Sequence, residues 1–159
     1  MFFVNDTVVQ RHKKIQAFVA TEPVIAVLLG AADFEWTVRR AIIALGESPN
    51  MDIREKTLNG CHGLDAYKTA WKKEIQPRYK SALAEVIPQW QFFREQAYPL
   101  RHKIIHGVIG TVGADYAGER IAAMLNASRA LCEFAGQHDC DLYQRLKVRR
   151  RKATSQVAI

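Results

Sequence analysis

Apolar residues recur at steps of three and four along most of this chain, the spacing that places side chains on one face of an α-helix. The clearest run begins after Pro23, a residue suited to a first helical turn, and predicts a helix to about Leu45. Gly46 and the polar residues that follow it end the pattern. The apolar positions of this stripe are Ile25, Leu28, Leu29, Ala32, Trp36, Val38 and Ile42.

The same spacing predicts further helices on both sides of this one. The first helix follows a capping residue, Asn5 or Asp6, and a later segment is broken by Gly60 and Gly63. Asp141 is a candidate cap for a short last helix. The predicted helical segments cover residues 6–20, 53–76, 77–86, 88–106 and 120–135.

The length and the absence of strand-like alternation bound the fold class. A chain of 159 residues suits one domain with a single core. We therefore predict an all-α fold, an up-and-down bundle of four to six helices in one domain over residues 1–145. Residues 146–159 form a basic C-terminal tail, and the sequence leaves open whether this tail is ordered or disordered.

The charge of the chain favours polyanionic partners. The formal net charge is +7 and the isoelectric point is near 9.5, and a positive surface attracts phosphate groups in a salt-dependent way. The cations are concentrated at positions 11–14 and 145–152. Either cluster of cations alone is typical of a solvated helix face or a tail. The charge favours RNA binding only in combination with a motif that can bind phosphate.

Cysteine content and hydropathy predict a cytoplasmic protein that does not enter a membrane. The three cysteines, Cys61, Cys132 and Cys140, are an odd number without a close pair, which favours free thiols in a reducing compartment. No signal peptide is evident. The longest apolar stretch, residues 24–32, is far shorter than the ~20 residues of a membrane span.

The residues with the most chemical meaning lie between positions 100 and 107, which read Leu-Arg-His-Lys-Ile-Ile-His-Gly. Arg101 offers a permanently charged guanidinium that suits phosphate, and His106 offers an imidazole, a group that can accept or donate a proton. Gly107 can end the helix that carries them. Pro99, just before the motif, predicts either a kink or a new helix start, and the sequence does not choose between them.

This string resembles the motif of the HEPN superfamily (higher eukaryotes and prokaryotes nucleotide-binding domains). The family motif is an arginine, four to six intervening residues and a histidine, often with a polar residue after the arginine and a glycine after the histidine. Arg101, His102, His106 and Gly107 match these positions. The segment 34–40 is also similar to an early family helix that carries an inward acidic residue, here Glu35.

The resemblance implies a helical endoribonuclease whose composite site forms across a homodimer, with a role as a toxin or a phage-defence effector. It also implies an antitoxin or a larger defence complex as a further partner. Some family members are controlled by an antitoxin that modifies a tyrosine two positions after the histidine. Val108 occupies that position here, so this mode of control is not supported.

The residue chemistry leads to the same reaction class. Metal-independent RNA cleavage uses the ribose 2′-hydroxyl as nucleophile, so the protein needs only to transfer protons and stabilise charge. His106 can transfer protons, and Arg101 can bind the phosphate oxygens on which negative charge builds. No cofactor and no metal are required, and the products are a 2′,3′-cyclic phosphate and a 5′-hydroxyl.

Each candidate residue also has a simpler structural interpretation. Arg101 and His106 could be an exposed cation and a C-capping histidine. His102 supports Arg101 or binds phosphate, or is a surface histidine, and its spacing to His106 is only a weak metal-site signal. Lys103 steers RNA or is solvated. Glu35 orients Arg101 through a charge-assisted hydrogen bond, or pairs with the cation four residues later, Arg39.

Two other classes of function remain open. The first is a non-catalytic RNA- or nucleotide-binding helical module within a larger defence or toxin–antitoxin assembly. The second is a structural dimerisation bundle, which predicts no salt-dependent binding of RNA.

Overall fold

The apolar stripe after Pro23 forms the central helix of the fold. In the computed structural model, which describes residues 6–151, this helix spans twenty-three residues and is one of two of that length. The α-helices of the described region are α1 (Val8–Ala17), α2 (Pro23–Leu45), α3 (Asn50–Asp52), α4 (Leu64–Glu74), α5 (Gln76–Tyr79), α6 (Leu83–Val86), α7 (Trp90–Phe92), α8 (Tyr98–Ile105) and α9 (Ala114–Gly136). Two π-helical turns, Ile53–Thr57 and Phe93–Ala97, follow α3 and α7 directly.

The all-α class predicted from the sequence is confirmed. Within residues 6–151 there is no β-strand. The helices of at least eight residues in this region are α1, α2, α4, α8 and α9, which agrees with the predicted four to six. Helix α2 has the predicted bounds because Pro23 starts it and Gly46, in an extended conformation, ends it.

Helices α2 and α9 pack along their lengths and form the core of the domain. Gly30 of α2 lies against Met124 of α9, and Leu45 at the end of α2 lines the same cavity as His138 just beyond α9. The second position lies fifteen residues after Gly30 and fourteen residues after Met124. The two long helices therefore run in the same direction.

Several helix boundaries differ from the predictions for local reasons. The cap of α1 is Thr7, whose hydroxyl accepts from the Gln10 amide while the Gln10 side chain accepts from the Thr7 amide. The predicted helix over 77–86 is divided because Lys80 adopts a left-handed conformation. No helix follows Asp141 as far as residue 151, and its carboxylate accepts the Tyr143 amide in a local turn.

The chain is helical without interruption from α7 to α8, and the π-helical turn between them accommodates Pro99. The Tyr98 amide donates to the Phe93 carbonyl five residues earlier, which is the bonding of a π-helix. A proline crowds the carbonyl four residues before it and has no amide proton to donate. The wider turn relieves this conflict, so Pro99 neither breaks nor restarts the helix before Arg101.

The described part of the predicted basic tail is packed against the end of α2. Arg149 donates from its guanidinium to the carbonyls of Ile43, Ala44 and Ser48, and its amide donates to the Asn50 side chain. These bonds satisfy carbonyls that a helix end leaves without partners. The segment is therefore ordered to Arg151 and belongs to the helical domain, while residues 152–159 of the predicted tail lie outside the described region.

A buried charged cluster joins α1 to α2. The Asp33 carboxylate lies 2.7 Å from Arg11 Nε and 3.1 Å from His12 Nε2, and all three side chains are nearly inaccessible. Burial raises the pKa of Asp33, but the His12 hydrogen bond and the Arg11 charge more than offset it, so the pKa is lowered. The attraction between these charges offsets the free energy of removing them from water only while all three partners are present.

Cys61, Cys132 and Cys140 form no disulfide. Burial raises the pKa of Cys132 to about 12, so its thiol is protonated and unreactive. Among the described helices, none is both long and apolar enough to cross a membrane.

Candidate functional site

Arg101 lies against the acidic residue that the sequence predicted as its partner. Its Nη2 atom is 3.7 Å from Glu35 Oε1, with the arginine side chain 34% exposed and the glutamate 24%. The distance is that of an ion pair and is longer than the charge-assisted hydrogen bond that we expected. Arg101 is thus restrained on the side of α2 while part of its guanidinium stays accessible.

The competing partner of Glu35 is engaged elsewhere. Arg39 donates to the Tyr67 hydroxyl at 2.9 Å and to the carbonyls of Leu58 and Cys61. These contacts attach the loop before α4 to α2. The intrahelical pair between Glu35 and Arg39 is therefore replaced by the contact between Glu35 and Arg101.

Tyr98 is the third member of the group formed by Glu35 and Arg101, and the sequence did not predict it. Its hydroxyl donates to Glu35 Oε1 at 2.8 Å, the same oxygen that faces Arg101. Burial raises the pKa of Tyr98 far above its usual value, and the hydrogen bond to Glu35 and the charge of that carboxylate raise it further. The phenol is therefore a permanent donor. The one available signal was the spacing of three residues between Tyr98 and Arg101, which places both on one helix face.

The two histidines of the motif lie together on an exposed surface. His102 and His106 are one helical turn apart, and their ring centroids are 4.1 Å from each other. Both side chains are exposed, as is Lys103 between them. His102 is thus in contact with the proposed proton-transfer residue, whereas Lys103 is a solvated lysine in this structure.

The turn after α8 fixes the position of His106. The His106 amide donates to the carbonyls of His102 and Ile104, and Gly107 adopts a positive φ of 68°, which favours glycine. The Val108 amide then donates to the Lys103 carbonyl at 2.8 Å. His106 is therefore the C-cap residue directly after α8, and its side chain is exposed to solvent.

Arg101 and His106 project from different sides of α8. Five residues at 3.6 per turn place them about 140° apart around the helix axis. Arg101 faces α2, whereas His106 stacks on His102 at the exposed side. The structure thus brings together Arg101 with Glu35, and His102 with His106, but it does not place the two pairs in direct contact.

Exposed apolar side chains lie beside the motif. Ile105 is 51% exposed and Val108 is 70% exposed, and they flank His106 in sequence. Single exposed apolar residues are common on protein surfaces, and what distinguishes these two is their position next to His106.

Metal binding is not indicated by the arrangement of ligand residues. Within residues 6–151, no group of three or more His, Cys, Asp or Glu side chains is placed to hold a metal ion. His102 and His106 therefore lack a third protein ligand in that region.

Comparison of the chain with protein-family models, with curated proteins and with solved structures finds no match. Assignment of a function thus depends on the motif and on the geometry of the residues around it.

Proposed function

We propose that this chain is a metal-independent endoribonuclease of the HEPN type, in which Arg101 binds the scissile phosphate and His106 transfers protons. The observation that carries the proposal is that one short helix, α8, holds Arg101 against Glu35 and ends at an exposed His106. An arginine that is restrained in this way loses less side-chain entropy when it binds phosphate.

The reaction follows from the chemistry of the two side chains. An imidazole accepts the proton of the ribose 2′-hydroxyl, whose oxygen then forms a bond to the adjacent phosphorus. The bond from phosphorus to the 5′-oxygen breaks, and that oxygen takes a proton. Arg101 stabilises the charge on the non-bridging oxygens. The products are a 2′,3′-cyclic phosphate and a 5′-hydroxyl, and neither a metal nor a cofactor takes part.

A homodimer would supply the second proton-transfer group. A single copy has one Arg101 and one His106, on different sides of α8, whereas the reaction needs both a base and an acid. A two-fold interface formed by Ile105 and Val108 would bring the α8 ends of two copies together around one phosphodiester. The apolar exposure of these two side chains supports this interface.

The biological role proposed here is that of a toxin or a phage-defence effector that acts on RNA in the cytoplasm. The net charge of +7 supports an RNA substrate, since cations near the site attract the phosphate backbone. An antitoxin or a larger defence complex is the proposed regulatory partner.

The test is cleavage of end-labelled transfer RNA and of a messenger fragment in excess EDTA by the wild type, Arg101→Ala, His106→Ala and a control, Lys68→Ala. Lys68 is an exposed cation on α4, so its loss changes the net charge without changing the motif. Loss of a proton-transfer group or a phosphate clamp lowers the rate by ~10² or more, whereas the control retains the wild-type rate.

Two other outcomes of this experiment would contradict the endoribonuclease proposal. If a folded wild-type dimer binds RNA in a salt-dependent manner but does not cleave it, the endoribonuclease proposal is wrong and the non-catalytic RNA-binding module is favoured. If the protein neither binds nor cleaves RNA, the structural dimerisation bundle is favoured.

A further inference from the structure

A cavity of about 510 Å³ opens between the C-terminal end of α2 and the segment that follows α9. It is distinct from the motif, because Leu45 on its wall lies ten residues beyond Glu35, or roughly 15 Å along α2 at 1.5 Å per residue. Its size is in the range of small-molecule sites. None of the residues of the Arg/His motif lines it.

Three exposed cations line this cavity without carboxylate partners. Arg78, Arg145 and Lys147 are on its wall, and none of them forms an ion pair with a described acidic side chain. Arg149 adds a fourth positive charge, and its pKa is lowered by burial and then by the nearby Arg78 charge. Positive charges held this close together are stabilised by an anion.

An aromatic surface forms another part of the wall. The rings of Tyr79 and His138 are 4.1 Å apart between centroids and inclined by 34°, and both side chains are half-buried. Phe134 supports the pair from behind, at 5.9 Å from Tyr79 and 4.8 Å from His138. A half-exposed aromatic pair of this kind suits a flat heterocyclic ring, because stacking tolerates any base.

Two carboxylates, Asp139 and Asp141, lie at the same cavity. They do not cancel the charge, because four cations line the wall. The Asp141 carboxylate is oriented by the Tyr143 amide, which donates to it at 2.8 Å. In dinucleotide-binding folds, a carboxylate near the phosphate site accepts a hydrogen bond from a ribose hydroxyl.

The walls of the cavity are held before any ligand enters. Arg78 Nη1 donates to the carbonyls of Leu45 and Gly46, and Arg149 ties the last described segment to the end of α2. Arg40 donates to the carbonyls of Leu142 and Gln144 and so joins the segment after α9 to α2. A preformed site loses little conformational entropy on binding.

We infer that this cavity binds a nucleoside monophosphate group, with the phosphate at Arg78, Arg145 and Lys147 and the base against Tyr79 and His138. Cations, an aromatic surface and carboxylates match the three parts of such a ligand. The group can belong to a free nucleotide or to the 5′-phosphorylated end of an RNA. This site is independent of the proposed cleavage site, so either can fail without the other.

The test is calorimetric titration of the full chain with AMP and with adenosine. Wild type binds AMP saturably and binds adenosine at least about tenfold more weakly, since a charge-assisted hydrogen bond contributes ~1.5 kcal/mol or more. The double variant Arg145→Gln/Lys147→Gln loses at least about tenfold in AMP affinity. Neither side chain donates a hydrogen bond to the described residues, so circular dichroism should show an unchanged fold.

The control variant is Lys68→Gln, which removes one positive charge from α4, outside the cavity lining. The inference is wrong if wild type shows no saturable binding of AMP, if the double variant binds AMP as wild type does, or if Lys68→Gln weakens binding as much as the double variant does. Arg101→Ala/His106→Ala retains AMP binding, which separates this site from the motif.

The source of the nucleotide is distinguished with short RNAs in the Arg101→Ala/His106→Ala background. A 5′-phosphorylated RNA that binds more tightly than both AMP and its 5′-hydroxyl counterpart identifies an RNA end as the ligand. Binding of AMP that equals or exceeds that of the 5′-phosphorylated RNA identifies a free nucleotide.

Discussion

Tyr98 of α8 and Glu35 of α2 lie sixty-three positions apart in the chain and are joined by a hydrogen bond of 2.8 Å. The glutamate oxygen that accepts this bond is also the one nearest Arg101. Tyr98 and Arg101 lie on the same face of α8, so Glu35 is held from two positions. Tyr98 is therefore a positioning residue, because it acts on Arg101 through Glu35.

Replacement of Tyr98 by phenylalanine is expected to slow RNA cleavage about tenfold. The change removes a neutral donor to a charged acceptor, an interaction worth ~1.5 kcal/mol or more, and allows Glu35 and Arg101 to move. Steady-state cleavage should show a lower kcat with little change in KM and with the pH profile of the wild type, since His106 is unaltered. Tyr116→Phe is the matched control and keeps full activity; equal activity of Tyr98→Phe and wild type would contradict the positioning role.

Val108→Asp is expected to weaken the proposed homodimer. Burial of a valine contributes ~1.5 to 3 kcal/mol, and a carboxylate at this position also faces its copy across the two-fold axis. The dissociation constant from analytical ultracentrifugation should rise at least about tenfold, with a parallel loss of cleavage at low protein concentration. Val9 is 72% exposed on α1, and Val9→Asp should leave the dimer unchanged. If both variants behave alike, the interface lies elsewhere.

The Asp33 cluster predicts a specific loss of stability. Asp33→Asn removes the carboxylate that both Arg11 and His12 contact in the core. Breaking a buried ion pair from one side costs about 3 to 5 kcal/mol, which urea unfolding at neutral pH can measure. The exposed pair of Asp52 with Arg151 provides the control, and Asp52→Asn should leave the free energy of unfolding nearly unchanged.

The pH dependence of stability follows from the same carboxyl. The pKa of Asp33 is lower in the folded state than in the unfolded state, so the unfolded state binds more protons at acid pH. Its contribution is present above pH ~4 and is lost as the pH falls through the lower, folded value. Asp33→Asn should therefore show a flatter fall of stability below pH ~4 than wild type, and an identical slope would contradict this assignment.

Arg149→Ala is expected to release the last described segment from α2. Three carbonyls, at Ile43, Ala44 and Ser48, lose a charged donor, which should lower the free energy of unfolding by about 1.5 to 3 kcal/mol. Hydrogen exchange should become faster at the backbone amides of positions 50 and 149. The neighbour Arg150 is exposed, so Arg150→Ala serves as control; similar exchange in both variants would argue against this role of Arg149.

The sequence predicts the long elements of this fold well because their signals are local. The apolar stripe of α2 and its flanking Pro23 and Gly46 define that helix without reference to the rest of the chain. The direction in which α2 and α9 pack was not predicted, because it depends on side-chain fit between residues ninety positions apart, such as Gly30 and Met124.

In the candidate site, too, local signals were predicted from the sequence and contacts between distant residues were not. The sequence offered the contact between Glu35 and Arg101 as one of two alternatives, and it slightly favoured the intrahelical pair of Glu35 with Arg39. What decides between them is the loop before α4, whose carbonyls at Leu58 and Cys61 engage Arg39. Similarly, basic character alone could not distinguish Arg149, which fastens the C-terminal segment, from the exposed Arg150.

The most direct test of the proposed reaction is cleavage, in excess EDTA, of an RNA that carries a single 2′-deoxy substitution at the position cleaved in the unmodified RNA. We expect the unmodified RNA to yield a 2′,3′-cyclic phosphate and a 5′-hydroxyl, and we expect the substitution to block cleavage at that position, because the internal nucleophile is missing. Continued cleavage at the deoxy position, or loss of all cleavage when divalent ions are removed, would contradict a metal-independent mechanism based on Arg101 and His106.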